Sequence, residues 1–477
     1  MQEIHELELK LAPGPDFRLP FARPRTRTFT SAYYDTAERR LAEVGITLRR
    51  RIENRKTVWQ LKLPLAAGRR EIEVAAGPAR LPAELSDLLV AVTRRAPLER
   101  VASLRTVRTY VHVREDGTVA DVAHDAVAVL EGRRVRERFE ELEVELLKGD
   151  EKVLGRIGKE LRRAGAEDGD GRPKLFRVLA FDPAEATPDA AAPPLEHLRV
   201  MLGQQLTAML RHDPGVRLGS DPEDLHDMRV ATRRLRALLR AARPLLDLEW
   251  AERLRSELSW LGSVLGPVRD LDVMLEHLSG EVDALPGTER RAARQLLRAL
   301  EAERESARAT LLEALGNVRY LSLLDSVRAA ARAPRAVAVD GDGNDLSLKD
   351  IAAGEFGRLR KAVKKLPADP SDDELHGVRI KTKRARYAAE LAEGAVGKPA
   401  ARFVDRAKRL QDVIGEHQDA LVSEDRIRSL LRTVRGPQVA FAAGLLVGRE
   451  RERRRSAREE WPQAWKRLQQ SGKRAWA

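Results

Sequence analysis

DPEDLHDMRVATRRLRALLR (221–240) and PSDDELHGVRIKTKRARYAAEL (370–391) are two versions of one segment. Their histidines, His226 and His376, stand 150 residues apart. Each heads the same series of basic residues at i+3, i+7 and i+10. These are Arg229, Arg233 and Arg236 in the first copy, and Arg379, Lys383 and Arg386 in the second. At about 100° per residue, this spacing confines each series to one stripe of a helix. Further on, Leu265-Gly266 with Asp270 is echoed by Ile414-Gly415 with Asp419, at an offset of 149 residues. Two anchors with nearly the same offset point to an internal duplication.

The region around these segments is patterned for helices. A helical hydrophobic period runs through 195–210, 223–242, 250–265, 289–314, 346–365, 372–391, 400–414 and 439–470. Met228 and Leu235 fall on the apolar side of the first basic helix. The stretch PRAVAVDGDGND (334–345) separates two halves, so two related helical bundles are expected, at about 195–333 and 346–477. Like charges along one stripe weaken an isolated helix, and an anionic ligand would offset that cost. Arginine forks match phosphate oxygens, and histidine adds a donor. The alternative for either copy alone is a solvated basic face paired with Asp270, Asp272 or Asp419. Recurrence of the whole pattern favours the ligand.

Composition agrees. The 477 residues are 34% charged and only 4% aromatic, with a formal net charge of +13. Such a balance favours a polyanion: polyphosphate, nucleic acid or an anionic membrane surface. Scarce aromatics argue against single-strand binding by base stacking. The absence of cysteine excludes disulfides, thiolate zinc sites and cysteine nucleophiles. The N-terminal MQEIHELELK has no apolar h-region, and no run of about 18 apolar residues exists. The expected location is therefore cytoplasmic, with no membrane partner.

Before residue 182 the texture is different. Alternation with period two marks IHELELKL (4–11), TLRRRI (47–52), VWQLKL (58–63), EIEV (71–74), VRTYVHV (107–113), TVADVAH (118–124) and ELEVEL (141–146). Turn signals such as Glu115-Asp116-Gly117 separate them, so an antiparallel sheet or barrel is expected. A helix is expected at 151–164. Residues 182–194, DPAEATPDAAAPP, read as a linker. The predicted class is α+β multidomain, with domains at 1–182 and 195–477 joined by 183–194.

On the first strand Glu6, Glu8 and Lys10 share one face, as Glu141, Glu143 and Glu145 do on a later one. Arg49 and Arg51, Gln60 and Lys62, Arg69, and Glu71 and Glu73 repeat the pattern between them. Pointed into a barrel, these faces would place carboxylates, which suit Mg²⁺ or Mn²⁺, beside cations that suit phosphate. A sheet with one wet face is the bland alternative, but it weakens as the alternation recurs on strand after strand.

Two family resemblances follow from these residues. Glu6-x-Glu8-x-Lys10 resembles the ExExK signature of CYTH domains, also called triphosphate tunnel metalloenzymes. Tyr33-Tyr34-Asp35-Thr36, Gly45 with Leu48-Arg49-Arg50-Arg51, Leu61-Lys62 and Leu142-Glu143-Val144-Glu145 follow in the family's order. The resemblance implies an eight-stranded antiparallel tunnel that cleaves or binds triphosphate compounds with a divalent cation. It nominates Glu6, Glu8 and Lys10 as catalytic and Glu6, Glu8, Glu143 and Glu145 as metal ligands. It also makes Lys10, Arg49, Arg51, Lys62, Arg108 and Lys174 triphosphate contacts. There are departures. Residues 11–29 are Pro-rich and leave little room for the usual helix. Tyr110 stands where a lysine is common, and Pro173 where a serine is common. Asp121 and Asp125 replace another acidic pair conservatively.

The doubled His-x-x-Arg-x-x-x-basic pattern resembles the CHAD family, the conserved-histidine α-helical domain, whose members bind inorganic polyphosphate along a basic surface. The resemblance assigns polyphosphate binding to His226, Arg229, Arg233 and Arg236, and to His376, Arg379, Lys383 and Arg386. Lys383 is a point charge where Arg233 is a fork, so the halves need not contribute equally. The expected function is polyphosphate binding with triphosphatase activity in the tunnel, and an association with polyphosphate granules. A non-catalytic scaffold or sensor is the alternative. Adenylate cyclase, thiamine triphosphatase and nucleic-acid binding rank lower.

Overall fold

The computed structural model describes residues 1–65, 67–75, 80–115, 117–181, 187–337 and 346–476. The chain divides into two compact units: Met1–Ala184 with Asp213–Leu218, and Glu185–His212 with Gly219–Ala477.

The first unit is built on antiparallel strands β1 (Gln2–Pro13), β2 (Arg25–Asp35), β3 (Thr47–Glu53), β4 (Lys56–Pro64), β5 (Arg69–Ala75), β6 (Glu99–Glu115), β7 (Thr118–Glu131), β8 (Arg134–Lys148) and β9 (Ala166–Asp168). The sheet order is β5-β4-β3-β2-β6-β7-β8-β1. β1 also pairs with β5, so eight strands close into a barrel, and β9 lies along the end of β1. β1 makes the closure by using its first half on β5 (Glu6 opposite Arg69) and its second half on β8 (Glu8 opposite Glu145, Lys10 opposite Glu143). Gly68 permits that seam. Its φ is +75°, and a Cβ there would lie 2.2 Å from the Glu6 carbonyl oxygen.

Period two separates the barrel's faces. Leu11, Ala120, Val122, Leu142 and Val144 point outward into a core with Val153, Ile157 and Leu161 of the helix that follows β8. Burying each large apolar side chain is worth roughly 1.5–3 kcal/mol. The intervening charged residues face the other way. The helices of this unit are α1 (Arg40–Glu43), α2 (Ala83–Leu88), α3 (Val90–Thr93), α4 (Lys152–Arg163) and α5 (Lys174–Val178). Every strand expected from period two is present. β2 was not among them, because RTRT opens it with polar groups on both faces. The connection 14–24 between β1 and β2 contains no helix, in keeping with its prolines. Asp35, part of the Tyr-Tyr-Asp-Thr motif, is fully buried and structural. Its carboxylate accepts the backbone N–H of Thr36 (2.7 Å), Leu41 (2.9 Å) and Ala42 (3.0 Å).

The remaining helices are α6 (Pro194–Leu218), α7 (Pro222–Ala241), α8 (Leu248–Asp283), α9 (Gly287–Gly316), α10 (Val318–Arg332), α11 (Leu348–Lys364), α12 (Asp372–Val396), α13 (Lys398–Leu430) and α14 (Pro437–Ala475). Both basic segments start with side-chain caps. Asp221 accepts the Glu223 N–H, and Ser371 with Glu374 forms a capping box. The duplication is visible in the packing. α7 packs on α8 as α12 packs on α13, and α8 on α9 as α13 on α14. α7 also packs on α12, and α9 on α14, across the two halves. A core of Leu278, Leu296, Leu300, Ile427 and Leu446 joins α8, α9, α13 and α14. Met228 and Leu235 are fully buried, as their helical phase required.

Some expected boundaries move. α8 continues through Pro267, and α13 runs on to Leu430. An internal proline removes one hydrogen bond, and burial of Leu261, Leu265, Val268 and Leu278 on either side offsets it. α10 had no sequence expectation. Residues 182–186 and 338–345 of the two expected linkers, and Asp116 of the expected turn, lie outside the described residues.

Candidate functional site

Within the barrel, cations and carboxylates from seven strands and α5 meet. Lys62 of β4 holds both oxygens of Glu6 of β1, at 2.8 and 2.5 Å, and reaches Glu71 of β5 at 2.9 Å. Arg49 donates from Nε to Gln60 at 2.6 Å and from Nη1 to the Tyr33 hydroxyl at 3.4 Å. Arg108 of β6 grips Asp125 of β7 with Nε (2.8 Å) and Nη2 (2.7 Å), and also contacts Glu143 of β8. Pro173 starts α5 and delivers Lys174 into the same cluster. Its Nζ lies 3.0 Å from Asp125 and 2.7 Å from Glu143, and it contacts Glu141. Lys10 sits 3.2 Å from Glu143 and 3.5 Å from Glu8.

A cavity of about 30 Å³ is lined by Glu8, Lys10, Arg49, Lys62, Glu143 and Lys174. Six of the residues expected from sequence therefore share one space. Glu6 joins through Lys62, and Arg108 through Glu143. Arg51 is placed differently: it pairs with Glu53 and lies over the Phe29 ring, 4.0 Å from its centroid. Glu145 makes neither a hydrogen bond nor an ion pair with any described residue.

The electrostatics are uneven. Burial raises Glu143, but Lys174, Lys10 and Arg108 outweigh it and hold the carboxyl well below its usual range. Burial pushes Glu145 up to about 7, with Glu6 adding repulsion. Glu141 is also pushed up to about 7, by burial first, although Lys174 opposes the rise and Glu143 adds to it. Oxygens of Asp125, Glu141 and Glu143 lie within 4.8 Å of one another and could ligate one ion. All the candidate donors are carboxylate oxygens, the set that hard divalent cations take. Glu145, a largely buried carboxyl with no ion pair among the described residues, adds to that fit. Asp125 and Glu141 were not expected as ligands. Their signal was the register: Asp125 pairs with Glu141 across β7 and β8.

In the helical unit, the two signature stripes converge where α7 crosses α12. Arg233 donates its Nε–H to the Tyr387 hydroxyl at 2.9 Å. Arg229 donates to the Gly266 carbonyl at 3.0 Å and to Asp270 at 2.6 Å. The echo sets each repeated glycine beside a stripe arginine, at ordinary contact distance. A Cβ at Gly266 would touch Arg229 (3.9 Å), and one at Gly415 would touch Arg379 (3.7 Å). Asp419 stands near Arg379, and burial raises its carboxyl. Asp272 pairs instead with Arg304.

Lys383 sits among the cations of both copies. Burial comes first, then Arg379, Arg233, Arg386 and Arg229, and together they push its ammonium down to about 8. Burial and Arg269 also lower His226. Two cavities flank the crossing and share Arg233. One, of about 360 Å³, includes His226, Arg229, Arg269, His277, Asp419 and Arg453. The other, of about 240 Å³, includes Arg236, Arg240, Arg255, Lys383, Arg384 and Tyr387. Arg386 forms an ion pair with Glu390 at 3.1 Å and covers the Tyr387 ring. The Nδ1 of His376 is buried without a hydrogen-bond partner. Arg269, His277, Arg453 and Tyr387 had no sequence signal, because they reach the cavities only through helix packing.

A closed barrel lined with carboxylates and cations, followed by a duplicated bundle with a shared basic crossing, defines a two-part class of protein. Residues 5–175 match the CYTH domain family and residues 200–428 the CHAD domain family. The chain belongs to the CYTH-CHAD proteins. Two Mycobacterium tuberculosis proteins, both described as uncharacterized, are 30% identical over 481 residues, covering 94% of this chain and 91% of theirs. Among solved structures, PptA from Streptomyces chartreusis is 27% identical, covering 58% of this chain and 100% of that one, with a TM-score of 0.48. The CHAD domain from the plant Ricinus communis is 25% identical, covering 60% and 95%, with a TM-score of 0.49. No helix among the described residues is long and apolar enough to cross a membrane.

Proposed function

We propose that the protein binds inorganic polyphosphate on the α7/α12 crossing and hydrolyses a triphosphate unit or chain end in the barrel with Mg²⁺ or Mn²⁺. One observation carries the binding half. Lys383 is crowded by Arg229, Arg233, Arg379 and Arg386, so cations from both copies face one another, and its ammonium has no ion pair among the described residues. A linear polyanion relieves that repulsion at every contact. The stripe of His226, Arg229, Arg233 and Arg236 and that of His376, Arg379, Lys383 and Arg386 supply the donors.

In the barrel, Glu6, Glu8, Glu143 and Glu145 would hold the metal, with Asp125 and Glu141 within reach of the same cluster. When bound, such a cation polarises a phosphate and lowers the pKa of water. The chain's own part is to position and neutralise. Lys10, Lys62, Arg108 and Lys174 exchange their carboxylate partners for phosphate oxygens, Arg49 turns to phosphate from Gln60 and Tyr33, and Arg51 extends the cationic wall. Glu6, Glu8 and Lys10, adjacent on β1, would align metal and phosphate.

A second reading, a non-catalytic phosphate sensor and granule scaffold, has an observation in its favour. Lys174 and Arg108 already bond to the carboxylates that could take the ion, and the cavity holds about one water. Phosphate release from tripolyphosphate under a metal titration decides between them. Release equal to that of the Glu6→Ala/Glu8→Ala variant rejects the enzyme. Displacement of polyphosphate by duplex DNA at equal phosphate concentration rejects the choice of ligand.

A further inference from the structure

We infer that a second phosphoanion site lies in the groove between the start of α13 and the end of α14, outside both signature helices. The groove encloses about 620 Å³, and its lining includes Arg402 and Arg406 on α13 with Arg467 and Arg474 on α14. None of these four arginines makes a hydrogen bond, ion pair or ring contact with any described residue. Asp405 is the one acid in the lining, and its nearest cation, Lys408, is 4.0 Å away.

Unpaired arginines on a surface are commonly just solvated, but the rest of α14 shows what this helix does when acids are available. Arg451 pairs with Glu424, Arg453 with Glu416, Arg455 with Glu452, and Arg458 with Asp369. Beyond Glu460 the sequence WPQAWKRLQQSGKRAWA (461–477) has no acid at all, yet carries Lys466, Arg467, Lys473 and Arg474. Charge is segregated there, and the facing turns of α13 add two more arginines.

The groove is also held in place. A Cβ at Gly472 would fall 2.3 Å from Phe356, so glycine lets the end of α14 seat on that ring. Phe403 stacks edge-on against both Phe356 and Trp476, with centroids 5.3 Å apart in each pair. This aromatic anchor fixes the helix backbones that carry both arginine pairs before a ligand arrives, which lowers the ordering cost of binding. Arginine forks take phosphate oxygens in pairs, and Gln470 and Ser471 add neutral donors to the lining. The ligand chemistry is a chain of several phosphates, and inorganic oligophosphate is the form that a four-guanidinium groove between two helices suits. That choice of ligand rests on the polyphosphate reading, whereas the site itself does not.

Arginine modification by phenylglyoxal, mapped by mass spectrometry on the full-length protein, tests the inference with long-chain sodium polyphosphate as the probe. At ten times its dissociation constant, polyphosphate should slow modification of Arg402, Arg406, Arg467 and Arg474 about elevenfold. The protection should persist in an Arg233→Ala/Arg379→Ala variant. Arg467→Ala/Arg474→Ala should abolish protection of Arg402 and Arg406 while leaving Arg233 protected. Protection of Arg233 and Arg379 with none in the groove overturns this inference alone. Protection in the groove with none at Arg233 and Arg379 supports it and removes the crossing from the proposed function. Absence of protection at both overturns both. Vesicles of anionic phospholipid form a second arm, and protection by vesicles but not by polyphosphate overturns the assignment to an oligophosphate.

Discussion

Arg233 on α7 and Tyr387 on α12 are joined by a 2.9 Å hydrogen bond across the two copies of one ancestral segment. Arg233 keeps its Nη donors for the cavities on either side, while its Nε is held by the phenol. Arg233→Ala should therefore weaken polyphosphate binding about tenfold or more, because a charge-assisted contact is worth roughly 1.5–3 kcal/mol. Arg233→Lys should recover only part, lacking the planar fork. Titration calorimetry at fixed salt checks both.

Tyr387→Phe isolates the positioning role. It removes one hydrogen bond, worth roughly 0.5–1.5 kcal/mol, and leaves every charge in place. Affinity should fall severalfold while the dependence of binding on salt stays as in the parent. A changed salt slope would show that the phenol does more than orient Arg233.

Lys383 gives binding a pH dependence. Its ammonium is pushed down to about 8 by burial and four arginines, so the free protein loses that proton near pH 8. A polyanion favours the charged form, so binding takes up protons there, and affinity should decline as pH rises through about 8. The stability sign is opposite. A depressed lysine binds fewer protons when folded than when unfolded, so the ligand-free protein gains stability between about pH 8 and its ordinary pKa near 10.4. Lys383→Arg should flatten the pH profile of affinity between pH 7 and 9. Calorimetry in buffers of different ionisation enthalpy measures the proton uptake directly.

Much of this was legible from spacing. Period two showed which face of β1 and β8 carries charge, and the i, i+3, i+7, i+10 series placed His226 to Arg236 on one stripe. Closure of a barrel does not follow from alternation alone. It depends on β1 dividing its pairing between β5 and β8, and on Gly68 letting the β4–β5 turn touch Glu6. The sequence also could not say which carboxylates would meet. Asp125 and Glu141 enter the cluster through the β7–β8 register, and Lys174 arrives there from the start of α5. Arg51 has the right parity but turns to Glu53 and Phe29, an outcome set by its neighbours. Arg269 and Tyr387 belong to no repeated pattern, and only the packing of α7 against α8 and α12 brings them to the site.

Gly68→Ala tests the seam. The positive φ and the 2.2 Å approach to the Glu6 carbonyl leave no place for a methyl group. Strain at such a position costs about 1–3 kcal/mol, and the displaced backbone would carry Glu6 away from Lys62. Thermal unfolding should show an earlier transition for the first unit, with tripolyphosphate binding lost and polyphosphate binding by the helical unit retained.

Glu145→Gln separates stability from metal binding. Burial and Glu6 push this carboxyl up to about 7, so the folded protein holds its proton more tightly than the unfolded chain does. Its contribution is fully present below the ordinary glutamate pKa near 4.3 and is lost as pH rises to about 7. Above that pH an ionised Glu145 burdens the metal-free barrel. The amide removes the charge, so Glu145→Gln should unfold at a higher temperature than the parent at pH 8 without metal. A divalent cation needs the ionised form, so in the parent Mn²⁺ affinity should rise with pH up to about 7 and binding should release a proton. The variant should lose that pH dependence and bind Mn²⁺ more weakly by at least the ~10-fold that losing even an outer-shell partner costs. Melting curves with and without Mn²⁺ at pH 6 and pH 8 read both effects. A variant less stable than the parent in metal-free buffer at pH 8 would mean that Glu145 is held by a partner and is not waiting for a cation.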